Sequence, residues 1–344
     1  MQDPLVSTVV VNYNGAHLLP DCLDSLNGQD LPGHEVIVVD NGSIDESQAV
    51  VEKYGCRFIP LGDNLGLPAA YNRGAEHARG EYVFFVNNDM RFEPDCVRLL
   101  AGALAADPGL FAADPLQFDW DGARVIHDRA VLQPVRGLRG LLSRTILPWP
   151  PLAMSYIPSD TVVPVPWGCA GSLMIRRRLL VQLGGWDARL FLDLEDLDLC
   201  WRAWLRGWPT VYVPRARLFH KWGATNDEHL HAAKTDEVRR RLPSLTFRRL
   251  VTQQRNHLRF ALKVLDFRSI AMLVAIKLAV LPVMAVRRPT VARAWVLAAA
   301  RVVAEVPEVW RLRRDIHRSR VCSSRDLIAR FAAEGRAVAA AGKA

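Results

Sequence analysis

Three clusters of acids and carboxamides, each ending or following an apolar run, give this sequence its chemical potential. Asn87-Asn88-Asp89 follows Tyr-Val-Phe-Phe-Val. An oxygen-rich tripeptide there can hold a hard divalent cation that keeps waters and shares substrate phosphates, or it can simply make a turn. Asp40 closes Glu35–Asp40 (EVIVVD) and is equally open between ligand contact and turn capping. Glu195, Asp196 and Asp198 crowd three acids into four residues, with Asp193 close by. A helix N-terminus tolerates such acids through its dipole. Crowding also raises carboxylate pKa values, which suits a general base. Arg202 lies four residues after Asp198, within i,i+4 reach, and is expected to hold the cluster in place.

Alternating strands and helices must position these groups. Leu5–Asn12 is a β-branched run ending near Asn14-Gly15, and Glu35–Asp40, Arg57–Leu61 and Glu81–Asn87 read as further strands. Helical spacing covers His17–Asn27, Ser47–Tyr54, Pro68–Ala78 and Pro94–Asp107. That alternation predicts an α/β fold with a mostly parallel sheet, whose ligands bind at the carboxyl ends of the strands. Here those ends are Asn12-Tyr13-Asn14, Asp40-Asn41 and Asn87-Asn88-Asp89. Short strands are expected within 111–135, and residues 145–168 form a Pro- and Trp-rich stretch without periodicity. Cys169–Ile175 reads as strand, Arg177–Leu183 and Glu195–Arg206 as helices, and Thr210–Val213 as a last short strand. The first domain is expected to span 1–225.

Residues 226–344 form a second, basic and helical region. Positions 241–344 hold 21 Lys and Arg against 6 Asp and Glu, a net charge of +15, while the first 240 carry −7. Such a tail implies an anionic partner, either nucleic acid or a membrane surface. Ser269–Val286 is interrupted by Lys277 and Pro282, and Val291–Val306 by Arg293, Arg301 and Glu305. The favoured reading is helices in the interface plane with snorkelling arginines; a helical cap on the first domain is the plainer one. No aromatic-plus-basic strip accompanies the charge, so no nucleic-acid partner is expected. Six scattered cysteines without a C-x-x-C pair read as reduced thiols. Asp3 and Pro4 stand where a signal peptide would be basic.

Taken in order, Val9–Asn14, Val38–Ser43 with Asp45, Asn64-Leu65-Gly66-Leu67 leading to Asn72-Arg73-Gly74, and Phe85–Asp89 form a joint pattern. Gly184-Gly185-Trp186-Asp187, Phe191–Arg202 and His220-Lys221-Trp222-Gly223 complete it. The pattern resembles the family 2 glycosyltransferases, inverting enzymes of the GT-A fold, and most of all bacterial rhamnosyltransferase-type members. The resemblance implies a nucleoside-diphosphate-sugar donor, with dTDP- or UDP-rhamnose favoured. It also implies a saccharide or lipid-linked acceptor in cell-envelope polysaccharide synthesis at the cytoplasmic face of the membrane, and Mg²⁺ or Mn²⁺ as cofactor. Galactofuranosyl, N-acetylglucosaminyl or polyprenyl-phosphate transfer are alternatives, as is a catalytically dead membrane-docking relative.

Residue by residue, the resemblance assigns donor binding to Asn12, Asn14, Asp40, Asn41, Asn64, Asn72, Asn88, Gly171 and Trp186. It assigns metal binding to Asp89, His220 and Asn87; Asn stands at Asn87 where the family's D-x-D signature begins with Asp, so the weight falls on Asp89. Asp196 matches the family's general base, with Glu195, Asp198 and Arg202 in support. Gly171 and Ser172 match a segment lining the sugar and acceptor pocket, although small residues there also permit close sheet packing. Trp186 and Trp167 offer faces for stacking on sugar rings, or belong to the core. A nicotinamide dehydrogenase is excluded because Asn12-Tyr13-Asn14-Gly15-Ala16 replaces G-x-G-x-x-G. A nucleotidylyltransferase lacks its Gly-rich, Arg-containing loop at the same place.

Overall fold

The computed structural model describes residues 4–134, 152–221 and 236–341. The chain divides into two compact units, Met1–Ala130 with Ile157–Ala203 and Trp208–Leu230, and Val131–Tyr156 with Trp204–Gly207 and His231–Ala344. The expected boundary near residue 225, Trp222, Gly223 and residues 145–151 of the Pro- and Trp-rich stretch lie outside the described residues.

The first unit is built on a mixed sheet flanked by helices. Strand β1 (Val6–Asn12) lies between β2 (His34–Asp40) and β4 (Tyr82–Asn87), parallel to both, and β3 (Arg57–Pro60) extends β2. Every β1 residue is buried, which is why its sequence is rich in β-branched residues and does not alternate with charged ones. Helices α1 (Leu19–Asn27), α2 (Ser47–Lys53), α3 (Leu67–His77) and α4 (Cys96–Ala106) connect the strands or pack on them. Leu23, Leu26, Leu100 and Leu104 join Val10, Val38, Phe84 and Val86 in one core. Full burial of each such side chain contributes about 1.5–3 kcal/mol.

Beyond β4 come β5 (Met90–Phe92), β6 (Ala112–Asp119) and β7 (Val125–His127), then β8 (Arg129–Pro134), β9 (Leu152–Ile157), β10 (Val163–Val165) and β11 (Ser172–Arg176). Helices α5 (Arg177–Leu183) and α6 (Glu195–Leu205) precede β12 (Thr210–His220). The sheet order is β10-β12-β6-β11-β4-β1-β2-β3, with β5 on β12 and β7 on β6; β8 and β9 pair separately. Two expectations change. The stretch around 145–168 contains strands β9 and β10. Strand β12 runs past Val213 to His220, its register shifting between Val213 and Arg217. That irregularity absorbs Pro214, which cannot donate to a ladder.

The second unit holds α7 (Asp236–Val264), α8 (Phe267–Arg287), α9 (Pro289–Ser319) and α10 (Ser324–Ala341). Helix α8 continues through Pro282, and α9 through Pro307. Among the described residues α8 is the one helix long and apolar enough to cross a membrane, and little of it is buried.

Candidate active site

The ends of β1, β2 and β4 meet because their registers align: Asn12 pairs with Asp40, and Val11 with Asn87. Asn12 is fully buried and organises the edge. Its amide nitrogen donates to Asp40 Oδ1 at 3.0 Å and Ser47 Oγ at 2.8 Å, and approaches Ser43 Oγ at 3.2 Å. Its Oδ1 accepts the Asn88 amide at 2.7 Å. Asp40 also accepts from the Ser43 hydroxyl and backbone N–H. Asn14 receives the Ile44 N–H on its side chain and gives its own N–H to Ser43. Asn41 accepts the Leu65 N–H and donates to Asn64, whose Oδ1 in turn takes the Gly66 N–H. The carboxamides are thus largely engaged with one another and with turns, shaping the edge.

Four of the expected site residues make contacts within the protein itself. Asn72 clamps the Trp186 backbone, donating to its carbonyl and accepting its N–H, each at 2.9 Å. Trp186 is 2% exposed, its ring 5.1 Å from Tyr71 and 5.3 Å from Phe85; both residues serve the core, with no aromatic face left for a sugar. Trp167 is likewise buried. Asn87 Oδ1 accepts the buried Tyr71 hydroxyl at 3.0 Å. Gly171 lies against the Asn87 amide, where an added Cβ would come within 2.5 Å, so its small size serves that close approach.

Asp89 and His220 are 131 positions apart, yet β5 and the end of β12 bring them together. Asp89 Oδ1 lies 3.2 Å from His220 Nε2, and both side chains are buried. The contact lacks hydrogen-bonding geometry, and Asp89 Oδ1 is a buried oxygen with no hydrogen-bond partner. Neighbouring ligands of an octahedral ion bound at about 2.1 Å lie about 3 Å apart, so the pair fits two positions on one divalent cation. Among the described residues no group of three or more His, Cys, Asp or Glu side chains assembles a closed cage.

The acids of α6 are delivered by a strained segment. Phe191, Asp193 and Leu194 all have φ between 60° and 72°, an arrangement that costs free energy in non-glycine residues and concentrates at functional sites. Asp198 is fully buried and accepts from Arg202 Nε at 2.8 Å. The rest of that guanidinium donates to the Leu183 and Gly185 carbonyls. Glu195 is buried with Oε2 unpartnered; burial raises its carboxyl, and Asp196 and Asp193 push it further. Asp196 is half-buried. Burial raises it too, while N–H groups of Leu197 and Ala170 and the charge of His127 pull it back down. Tyr71 lies in the field of Asp89, Glu195 and Asp196, which with its burial raises its hydroxyl far above the ordinary range.

Sequence reasoning missed two buried groups near Asp196. His127 Nε2 lies 2.7 Å from Asp114 Oδ2, both nearly inaccessible. The available signal was an acid inside the apolar run Phe111–Leu116.

The fold class is that of the GT-A glycosyltransferases: the structure of GalNAc-T7 with UDP, GalNAc and Mn²⁺ superposes with a TM-score of 0.56 at 16% identity, covering 77% of this chain and 49% of that one. The model of glycosyl transferase family 2 matches residues 7–181. The chain belongs to that family and is a glycosyltransferase. It is 31% identical over 234 residues to the N-acetylglucosaminyl-diphospho-decaprenol L-rhamnosyltransferase of Mycobacterium tuberculosis, covering 63% of this chain and 76% of the relative. It is 29% identical over 231 residues to rhamnosyltransferase WbbL of Escherichia coli K12, covering 63% and 83%.

Proposed function

We propose that this chain is an inverting, metal-dependent glycosyltransferase moving rhamnose from a dTDP- or UDP-sugar to a hydroxyl of a lipid-linked saccharide in cell-envelope synthesis. The observation that carries the reading is the juxtaposed Asp89 and His220 at the same sheet edge as Asp40. The names of both relatives support rhamnose as the sugar, and that of the mycobacterial one supports a lipid-linked acceptor. Asp40, within the edge built by Asn12, Asn14, Asn41, Asn64 and Asn88, receives the base and ribose. Asp89 and His220 hold the divalent ion, which when bound neutralises charge on the departing diphosphate. Asp196 takes the proton of the acceptor hydroxyl as its oxygen forms the new bond to the anomeric carbon and the nucleoside diphosphate leaves. Arg202 fixes the acid cluster through Asp198, and buried Glu195 stays protonated beside Asp196, leaving one of the two to act as base.

The second unit docks on the cytoplasmic leaflet, where such an acceptor is presented. Phe267, Leu278 and Val286 of α8 are exposed, and Arg268, Arg287 and Arg288 flank them; apolar area and basic charge together suit an anionic bilayer. The test is incubation with radiolabelled dTDP-rhamnose, Mn²⁺ and a polyprenyl-diphosphate-linked saccharide. Label in the lipid fraction, with inverted anomeric configuration, supports the reading; transfer from a different nucleotide sugar only, or with retention, overturns it.

A further inference from the structure

Asp196 follows a stretch of backbone that does not hold its shape unaided. Phe191, Asp193 and Leu194 all lie in the left-handed region, and such residues persist only where the surroundings over-determine them. The start of the segment is fixed twice: Asn72 of α3 clamps the Trp186 backbone, and Arg202 of α6 reaches back to the Leu183 and Gly185 carbonyls. Its end is held by the beginning of α3. The Leu67 N–H, at the first residue of that helix, donates to the Phe191 carbonyl at 2.8 Å. Gly66 lies against the same residue, where a Cβ would come within 2.5 Å of the Phe191 ring and 2.7 Å of its carbonyl oxygen. Phe191 is 46% exposed, so much of the hold falls on this backbone contact. Three residues on, the Leu194 carbonyl accepts the Asp198 N–H at 2.9 Å and α6 begins.

The turn that carries Gly66 also belongs to the donor edge. Asn41 accepts the Leu65 N–H at 2.9 Å and donates to Asn64 at 3.0 Å, and Asn64 Oδ1 takes the Gly66 N–H at 3.1 Å. Gly66 has a φ of +86°, which glycine adopts without steric cost, and so turns from these bonds into α3. Asn41, beside Asp40, is thus linked through one short turn to Phe191. We propose that the Asn64–Leu67 turn is the seat of the base. Gly66 and Leu67 are positioning residues that hold Phe191–Leu194, and through it Asp196, in register with the donor edge. Freed from the seat, the positive-φ residues relax toward negative φ, which redirects the chain immediately before Asp196. A misplacement of about 1 Å at a reacting group costs about 10²-fold in rate.

The kinetic half of the test rests on the transferase reading above; the exchange half does not. Leu67→Pro removes the N–H given to Phe191 but no hydrogen bond of α3, because the first helical N–H has no partner within its helix and Pro is tolerated there. The Gly66 ψ of 162° already suits a residue before Pro. In the full chain, amide exchange over Phe191–Asp198 is expected to rise by about tenfold or more in Leu67→Pro, while Val6–Asn12 exchanges as before. Single-turnover transfer is expected to fall by about 10–10²-fold, with the affinity for dTDP or UDP in Mn²⁺, read by calorimetry, unchanged. Leu67→Ala keeps the N–H and is expected to lose far less of both. Gly66→Ala sets a Cβ against Phe191 and is expected to show the same split between rate and affinity, so it decides if Leu67→Pro does not fold. Unchanged exchange over Phe191–Asp198 in Leu67→Pro overturns the proposal. So do equal losses in Leu67→Ala, or a fall in nucleotide affinity that accounts for the fall in rate. Absence of transfer by the wild-type chain would refute the transferase reading and leave the exchange measurement standing as its own test of the seat.

Discussion

Replacing Asp196 by Asn removes a proton acceptor and little else. Asn matches Asp in size, so no cavity opens, and the Leu197 N–H (2.7 Å) retains an oxygen to bond. Fold and donor binding should persist. Turnover should fall by about 10²–10⁴-fold, the usual worth of a positioned acid–base group, equivalent to about 2.7–5.5 kcal/mol of barrier. Glu195→Gln is the internal control. Glu195 is buried and its carboxyl raised to about 8, so at neutral pH the native group is already the neutral acid that Gln imitates, and turnover should change little. Single-turnover transfer, with donor binding measured by calorimetry on the same preparations, reads both effects. Near wild-type transfer by Asp196→Asn, or a dead Glu195→Gln, would refute the assignment of the base.

Four further outcomes follow from the geometry. The raised carboxyl of Glu195 contributes stability that is complete below its unfolded value and is lost as pH rises through about 8. Wild-type Tm should therefore drop more than that of Glu195→Gln between about pH 5 and pH 8, and parallel curves would contradict this. Asp89→Ala should abolish Mn²⁺-dependent nucleotide binding in calorimetry and His220→Gln should weaken it; equal binding in chelator would remove the metal role. Asn12→Ala strands buried partners at Asp40, Ser47 and Asn88 and should cost about 2–3 kcal/mol in denaturant unfolding, where a change below about 0.5 kcal/mol would deny Asn12 its organising part. Leu278→Glu with Val286→Glu should reduce cosedimentation with anionic vesicles, and high salt should release the wild-type chain. Resistance to both salt and carbonate would favour a spanning helix over interfacial docking.

Strands β1, β2 and β4 were legible because β1, β4 and the second half of β2 are buried on both faces, which forces apolar runs rich in β-branched and aromatic residues, and because each stops on Asn or Asp. Strand β12 was cut short in the sequence reading because Pro214, Arg215 and Arg217 break its pattern where the register shifts. Strands β9 and β10 lay hidden in a segment dominated by Pro and Trp. The same limits apply to the site. Asp40, Asp89 and Asp196 stood out as acids at strand ends or a helix start, positions readable from local pattern. The meeting of Asp89 with His220 depends on a pairing across 131 residues that no local pattern encodes; family register supplied it. The Asn72 clamp on the Trp186 backbone was not foreseen because a carboxamide bonded to a backbone and one facing a ligand look alike in sequence. His127 and Asp114 were passed over because their buried contact comes from tertiary packing.

The most direct measurement is nucleoside diphosphate release by the full chain across a panel of nucleotide sugars and a lipid-linked saccharide, with Mn²⁺, with chelator, and with Asp196→Asn. The account predicts acceptor-dependent release from a dTDP- or UDP-sugar, loss of it in chelator, and a fall of about 10²–10⁴-fold in the variant. Release that persists in chelator, or that Asp196→Asn sustains at the wild-type rate, would contradict it.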